Sequence, residues 1–143
     1  MEGTTSTQHF QQLLSASGQS RSAKTVEVFG WIILAESTFI LFAPHFVASV
    51  LHMPDLSNQA SNFFRLAGLL VGGLGMLYIA SGRLNATGFV FASLLDRPLV
   101  PVIMLVLWYL DIIPLTLALA FALQDGISFF WTLIAWKSEH RGS

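Results

Sequence analysis

Residues 86–136 read ATGFVFASLLDRPLVPVIMLVLWYLDIIPLTLALAFALQDGISFFWTLIAW, and where this stretch divides decides the fold. It is too long for one membrane crossing. A span from Pro98 to about Leu123 leaves only Ile127 to Trp136 for the next, far short of the roughly 20 residues a bilayer requires. A break at Asp111-Ile112-Ile113-Pro114 instead yields spans of about 88–110 and 114–136, both suited to hydrocarbon roughly 30 Å thick. Pro114 then falls in the first turn of a helix, where its missing N–H costs little.

Outward from this stretch, two further apolar segments stand at about 62–82 and 28–51. The whole chain of 143 residues is 54% hydrophobic and 10% charged. Soluble domains carry about 25% charged residues, so this chain cannot cover a water-facing surface. A net charge of −1 provides no basic footprint for nucleic acid, which is excluded as a partner. Zero cysteines exclude disulfides, thiolate metal sites and cysteine nucleophiles. The predicted fold is all-α, a transmembrane four-helix bundle with a disordered N-terminal tail. The tail is placed at 1–24, polar and rich in Ser, Thr and Gln. The four-span domain is placed at 25–138, and a short second tail at 139–143. No signal peptide is expected, because no basic start leads into a short apolar core.

Orientation follows from the cations. Arg21, Lys24, Arg83, Lys137 and Arg141 flank one end of the spans, whereas the connections at the other end hold Asp55 and Asp111 without Lys or Arg. Positive charge stays cytosolic, so both termini are expected there in a multi-pass protein embedded in the lipid bilayer. Trp31, Trp108, Tyr109 and Trp136 sit near span ends, as an aromatic belt does. The sequon Asn85-Ala86-Thr87 then lies on the cytosolic side and is expected unused.

The informative residues are the ionisable ones inside spans: Glu36, Arg65, Asp96, Arg97 and Asp125. Each costs roughly 2.5–3.5 kcal/mol at a helix centre unless paired, turned inward or facing a wet cavity. With about 1.5 Å of rise per residue, Glu36, Asp96, Arg97 and Asp125 fall roughly 12–17 Å from the cytosolic edge, in one layer. Arg97 is expected to meet Glu36 or Asp125. Pro98 and Pro101 follow it and kink the helix. On a competing reading, Asp96 caps a helix starting at Arg97-Pro98, with residues 86–95 lying shallow. Arg65 either snorkels to headgroups or pairs with Asp111 or Asp55. Ala118, Ala122, Asp125, Phe129, Thr132 and Trp136 share one face of span four. Gly68 and Gly72 form a GxxxG, extended by Gly75. Its commoner use is packing within one chain, and its alternative is a homo-oligomer seam. His45 and His52 lack partners at ligand spacing, so neither a metal nor another cofactor is expected.

Arg65-x-x-Gly68 leading into a glycine-rich helix, Tyr78, Arg83, Arg97, Pro114 and Asp125 followed by aromatics together resemble small four-span, DoxX-like membrane proteins. The resemblance runs from span one to span four and implies a four-helix bundle without a settled reaction. It departs at Asp96-Arg97-Pro98, where a small residue is expected before the basic one.

Two functions follow from the charge layer. In the first, the protein is a membrane-embedded enzyme of isomerase or cyclase type in a biosynthetic pathway. Glu36, Asp125 and Asp96 are its acid–base candidates and a lipophilic small molecule its substrate. Arg97, Trp108, Phe129 and Arg65 are the substrate-binding candidates, with Trp108, Phe129, Trp131 and Tyr109 expected to shield a cationic intermediate. In the second, the protein is a non-catalytic accessory or scaffold subunit, and the charges fix helix register. A transporter or proton relay is a third option, for which four short spans leave little room.

Overall fold

A computed structural model describes residues 2–141. The elements are helices α1 (Glu2–Ser15), α2 (Arg21–Phe42), α3 (Pro44–Val50), α4 (Asn58–Arg83), α5 (Thr87–Asp96), α6 (Leu99–Tyr109) and α7 (Leu115–His140). Among the described residues there is no strand. Four stretches are long and apolar enough to cross a membrane: α2, α4, Thr87–Tyr109 (α5 with α6) and α7. Their outer faces leave Phe42 79%, Leu70 69% and Ile127 68% exposed. A continuous apolar surface of this kind is what a lipid-facing bundle requires, and water would not tolerate it. The chain is a multi-pass integral membrane protein.

The break between the last two spans falls where the sequence placed it. Asp111 takes the left-handed conformation (φ 57°), and Ile112 N–H reaches back to the Leu107 carbonyl at 3.0 Å. This six-to-one bond closes the end of α6 and satisfies a carbonyl the helix leaves open. Pro114 is the N-cap, and α7 runs on to His140.

The first span differs from its predicted bounds. It opens at Arg21, because Ser20 caps it by accepting from Ala23 N–H at 3.1 Å. It closes at Phe42, because Ala43 leaves helical geometry (φ −137°, ψ 57°) ahead of Pro44. Residues 44–50 form the separate helix α3, with Pro44 at its first position. Within the stretch whose composition predicts a disordered tail, residues 2–15 form α1. Arg83 fixes its end by donating from Nε to the Leu13 carbonyl and from a terminal nitrogen to Leu14 (2.7 Å for the latter). A cation on the open carbonyls of a helix C-terminus offsets both the missing bonds and the dipole.

Helices α2 and α4 form the tightest pair in the bundle. Their seam is lined with glycine. A Cβ at Gly30 would stand 2.7 Å from both the Gly75 carbonyl oxygen and Ile79 N. Gly72 meets Ser37, Gly68 meets Ile40, and Gly82 meets the backbone of Ala23. The GxxxG of α4 thus packs on Ile40 and Ser37 of α2 in the same chain, and the two backbones meet at Gly30–Gly75 and Gly82–Ala23. Ala23, Val26, Phe29, Ile33, Tyr78 and Val90 form the buried cluster beside this seam. Helix α6 buries nothing fully and lies along α7, where Pro101 approaches Gly126.

Candidate functional site

The polar residues of the spans gather at two levels rather than in one layer. The lower level surrounds Arg97. The helical path continues through Arg97 and Pro98 between α5 and α6, both in αR geometry, and this turns the Arg97 side chain into the bundle. Arg97 is 0% exposed. Its guanidinium carbon lies 4.6 Å from the centre of the Phe29 ring and 5.4 Å from that of Tyr78. The terminal nitrogens donate to Thr132 Oγ1 (3.0 Å) and Ser93 Oγ (3.1 Å). Thr132 in turn bonds Thr25 Oγ1 at 2.7 Å, tying α2, α5 and α7 together. Arg97 Nε has no hydrogen-bond partner among the described residues.

Arg97 therefore forms no ion pair with Glu36 or Asp125, although the Asp125 carboxylate is near enough for the two charges to interact. Thr132 and Asp125 are seven residues apart on α7, about 10 Å along the helix, and Phe29 and Glu36 are equally far apart on α2. The guanidinium sits at the Phe29–Thr132 level and the carboxylates one step beyond. Among the described residues the ion pair formed is Arg83 with Glu27, at 2.7 Å.

The second level carries the cavity. Glu36, half-buried on α2, accepts a hydrogen bond from Gln124 Nε2 on α7 at 3.1 Å. The pair is the polar spot in a cleft of about 210 Å³ whose other walls include Phe39, Ile40, Phe46, Val47 and Phe121. The cleft exists because the chain turns at Ala43-Pro44, so α3 stands off α2 and closes one side. Glu36 Oε1 has no partner among the described residues and is available to a ligand. Asp125, next to Gln124, is buried on another side of α7, and its carboxylate finds no donor among the described residues.

The other sequence candidates are dispersed. Asp96 ends α5 and is exposed, because adjacent helical residues point about 100° apart and Arg97 takes the inward direction. Trp108 is 40% exposed near the end of α6. Phe129 packs on Phe130 and lines a different groove, between α5 and α7. Arg65 donates from Nε to the Leu41 carbonyl at 3.2 Å and to Asn62, not to Asp55 or Asp111. It serves the open end of α2 as Arg83 serves α1. Gln124 carries no charge and so does not stand out among the ionisable residues of the spans, yet an uncharged amide inside a span is itself a signal. Thr25 went unread because it lay outside the predicted first span.

No known protein family, curated protein or solved structure matches this chain.

Proposed function

We infer that this multi-pass membrane protein binds a lipophilic small molecule in the Glu36–Gln124 cleft and acts on it by acid–base chemistry, as an isomerase or cyclase of a biosynthetic pathway. One observation carries this reading: a single carboxyl, held by one amide and with its second oxygen free, in an otherwise apolar cleft. A pocket with apolar walls and a few convergent polar groups is the usual form of a small-molecule site. The cleft is smaller than the roughly 300–1,000 Å³ of most such sites, so it takes one ring or a branched chain end while the rest of the molecule lies along the lipid face. One carboxyl suffices for an isomerisation. It gives a proton to one carbon of an alkene and recovers one from a neighbouring carbon, so the double bond moves and no co-reactant is consumed. Phe39, Phe46 and Phe121 offer ring faces to the cationic intermediate, the part that the sequence alone suggests for Trp108, Phe129, Trp131 and Tyr109. Both termini lie on the cytosolic side in this reading, where Arg21, Lys24, Arg83, Lys137 and Arg141 cluster.

Arg97 favours a second reading, a non-catalytic accessory or scaffold subunit. The most deeply buried charge among the described residues is enclosed by rings and hydroxyls and joins three helices.

Glu36→Gln separates the two. The variant replaces the wild-type chain in the native host, with protein level and melting temperature matched. The acid–base reading expects a lipophilic precursor to build up in the lipid extract and its isomer to vanish. An unchanged extract at matched protein level refutes that reading.

A further inference from the structure

At the end of the bundle where α2 begins and α7 finishes, two grooves flank α7. The one between α2 and α7 encloses about 390 Å³. Arg21 and Lys24 stand at its head, and Trp131, Ile134 and Ala135 form its wall. The one between α5 and α7 encloses about 540 Å³. Lys137 and Arg141 stand at its head, and Phe91, Leu95 and Trp136 are among its wall residues. The same order, cation at the helix end and apolar wall toward the bundle centre, appears twice around one helix. All four cations are exposed, and no carboxylate among the described residues lies within 4.0 Å of any of them. The nearest carboxylate along α7, Glu139, is engaged elsewhere. Its two oxygens accept from Ser22 N–H (2.8 Å) and Ser22 Oγ (2.7 Å).

We propose that these two grooves bind anionic phospholipid, the phosphate held by Arg21 and Lys24 in one and by Lys137 and Arg141 in the other, with an acyl chain on the wall below. Charge complementarity selects this occupant. Unpaired cations at the end of a membrane span lie at headgroup depth, and basic pockets between spans take anionic headgroups. The walls select a lipid over a free phosphate. Trp131 is 48% exposed and Ile134 67% exposed, surfaces that a soluble anion leaves uncovered.

Trp131 and Trp136 line different grooves and report on each separately. In two single-tryptophan backgrounds, Trp31→Phe/Trp108→Phe with Trp136→Phe to leave Trp131 and with Trp131→Phe to leave Trp136, the full chain is reconstituted in phosphatidylcholine containing phosphatidylglycerol brominated on its acyl chains, and tryptophan quenching is followed. Brominated phosphatidylcholine in unbrominated phosphatidylglycerol is the reverse arm. Each cation near the surface is worth about a fivefold preference for the anionic lipid, so a pair gives about 25-fold. Arg21→Gln/Lys24→Gln should abolish the preference at Trp131 and leave it at Trp136. Lys137→Gln/Arg141→Gln should do the reverse. Arg21→Lys/Lys24→Arg should retain it, which shows that charge and not folding is read. Equal quenching by the two lipids overturns the proposal, as does a preference that survives neutralisation. Displacement by millimolar inorganic phosphate or glycerol phosphate overturns it in favour of a free-anion site.

Discussion

Gly30→Ala paired with Gly73→Ala tests the seam on which the bundle is built. Both glycines lie inside spans, so a methyl group brings each the same gain in helix propensity, about 0.8–1.0 kcal/mol. Their surroundings differ. At Gly30 the new Cβ would stand 2.7 Å from the Gly75 oxygen, 2.7 Å from Ile79 N and 2.8 Å from Tyr78 Cβ, whereas at Gly73 nothing lies within 4 Å. Two of the Gly30 contacts are backbone, which no rotamer change relieves, so α2 and α4 must separate. Overpacking of this kind costs about 1–3 kcal/mol. Because the propensity gain is common to both variants, the difference between them is the packing cost itself. Unfolding in mixed micelles, titrated with sodium dodecyl sulfate and followed by far-UV circular dichroism, measures it. Gly73→Ala should equal or exceed wild type, and Gly30→Ala should fall about 1–3 kcal/mol below Gly73→Ala. Equal stability of the two variants would refute a backbone-to-backbone seam between α2 and α4.

Two further substitutions test the polar interior and the first helix. Arg97→Lys should destabilise the bundle more than Arg97→Met in the same titration. Lysine retains the roughly 2.5–3.5 kcal/mol cost of a charge at this depth while losing the planar stack on Phe29 and Tyr78. Methionine strands neither hydroxyl, since Ser93 keeps its bond to the Val90 carbonyl and Thr132 its bond to Thr25. The opposite order would mean that the positive charge itself holds the helices. Arg83→Gln removes the donors to the Leu13 and Leu14 carbonyls and the pair with Glu27, so proteinase K should cut α1 about tenfold faster, as loss of about 1.4 kcal/mol implies. Cleavage at the wild-type rate would show that α1 is held by other contacts.

How far the candidate site could be read from sequence depended on which dimension mattered. Glu36 stood out because a charge in an apolar run is costly, and its solvent needed no tertiary knowledge. Its partner did not stand out. Pairing Glu36 with Gln124 requires the relative shift of α2 and α7, which is set by the cap at Ser20 and the turn at Ala43-Pro44. Moving the start of the first span from Val28 to Arg21 slides Glu36 about 10 Å along the membrane normal. That shift separates it from Arg97 and divides the single layer into two levels.

Composition and apolar spacing by themselves determined the solvent, the all-helical class, the number of spans and the break at Asp111. These depend on transfer free energy summed along the chain, and a bilayer imposes the length. Tertiary structure alone decided that the glycine face of α4 meets α2 and that Arg97 is enclosed by aromatic rings and hydroxyls instead of a carboxylate. It also decided that Glu36, of the acid–base candidates, lines the cleft. Those outcomes depend on helix rotation and register, where residues on adjacent helical positions point about 100° apart and a shift of a few residues changes every partner.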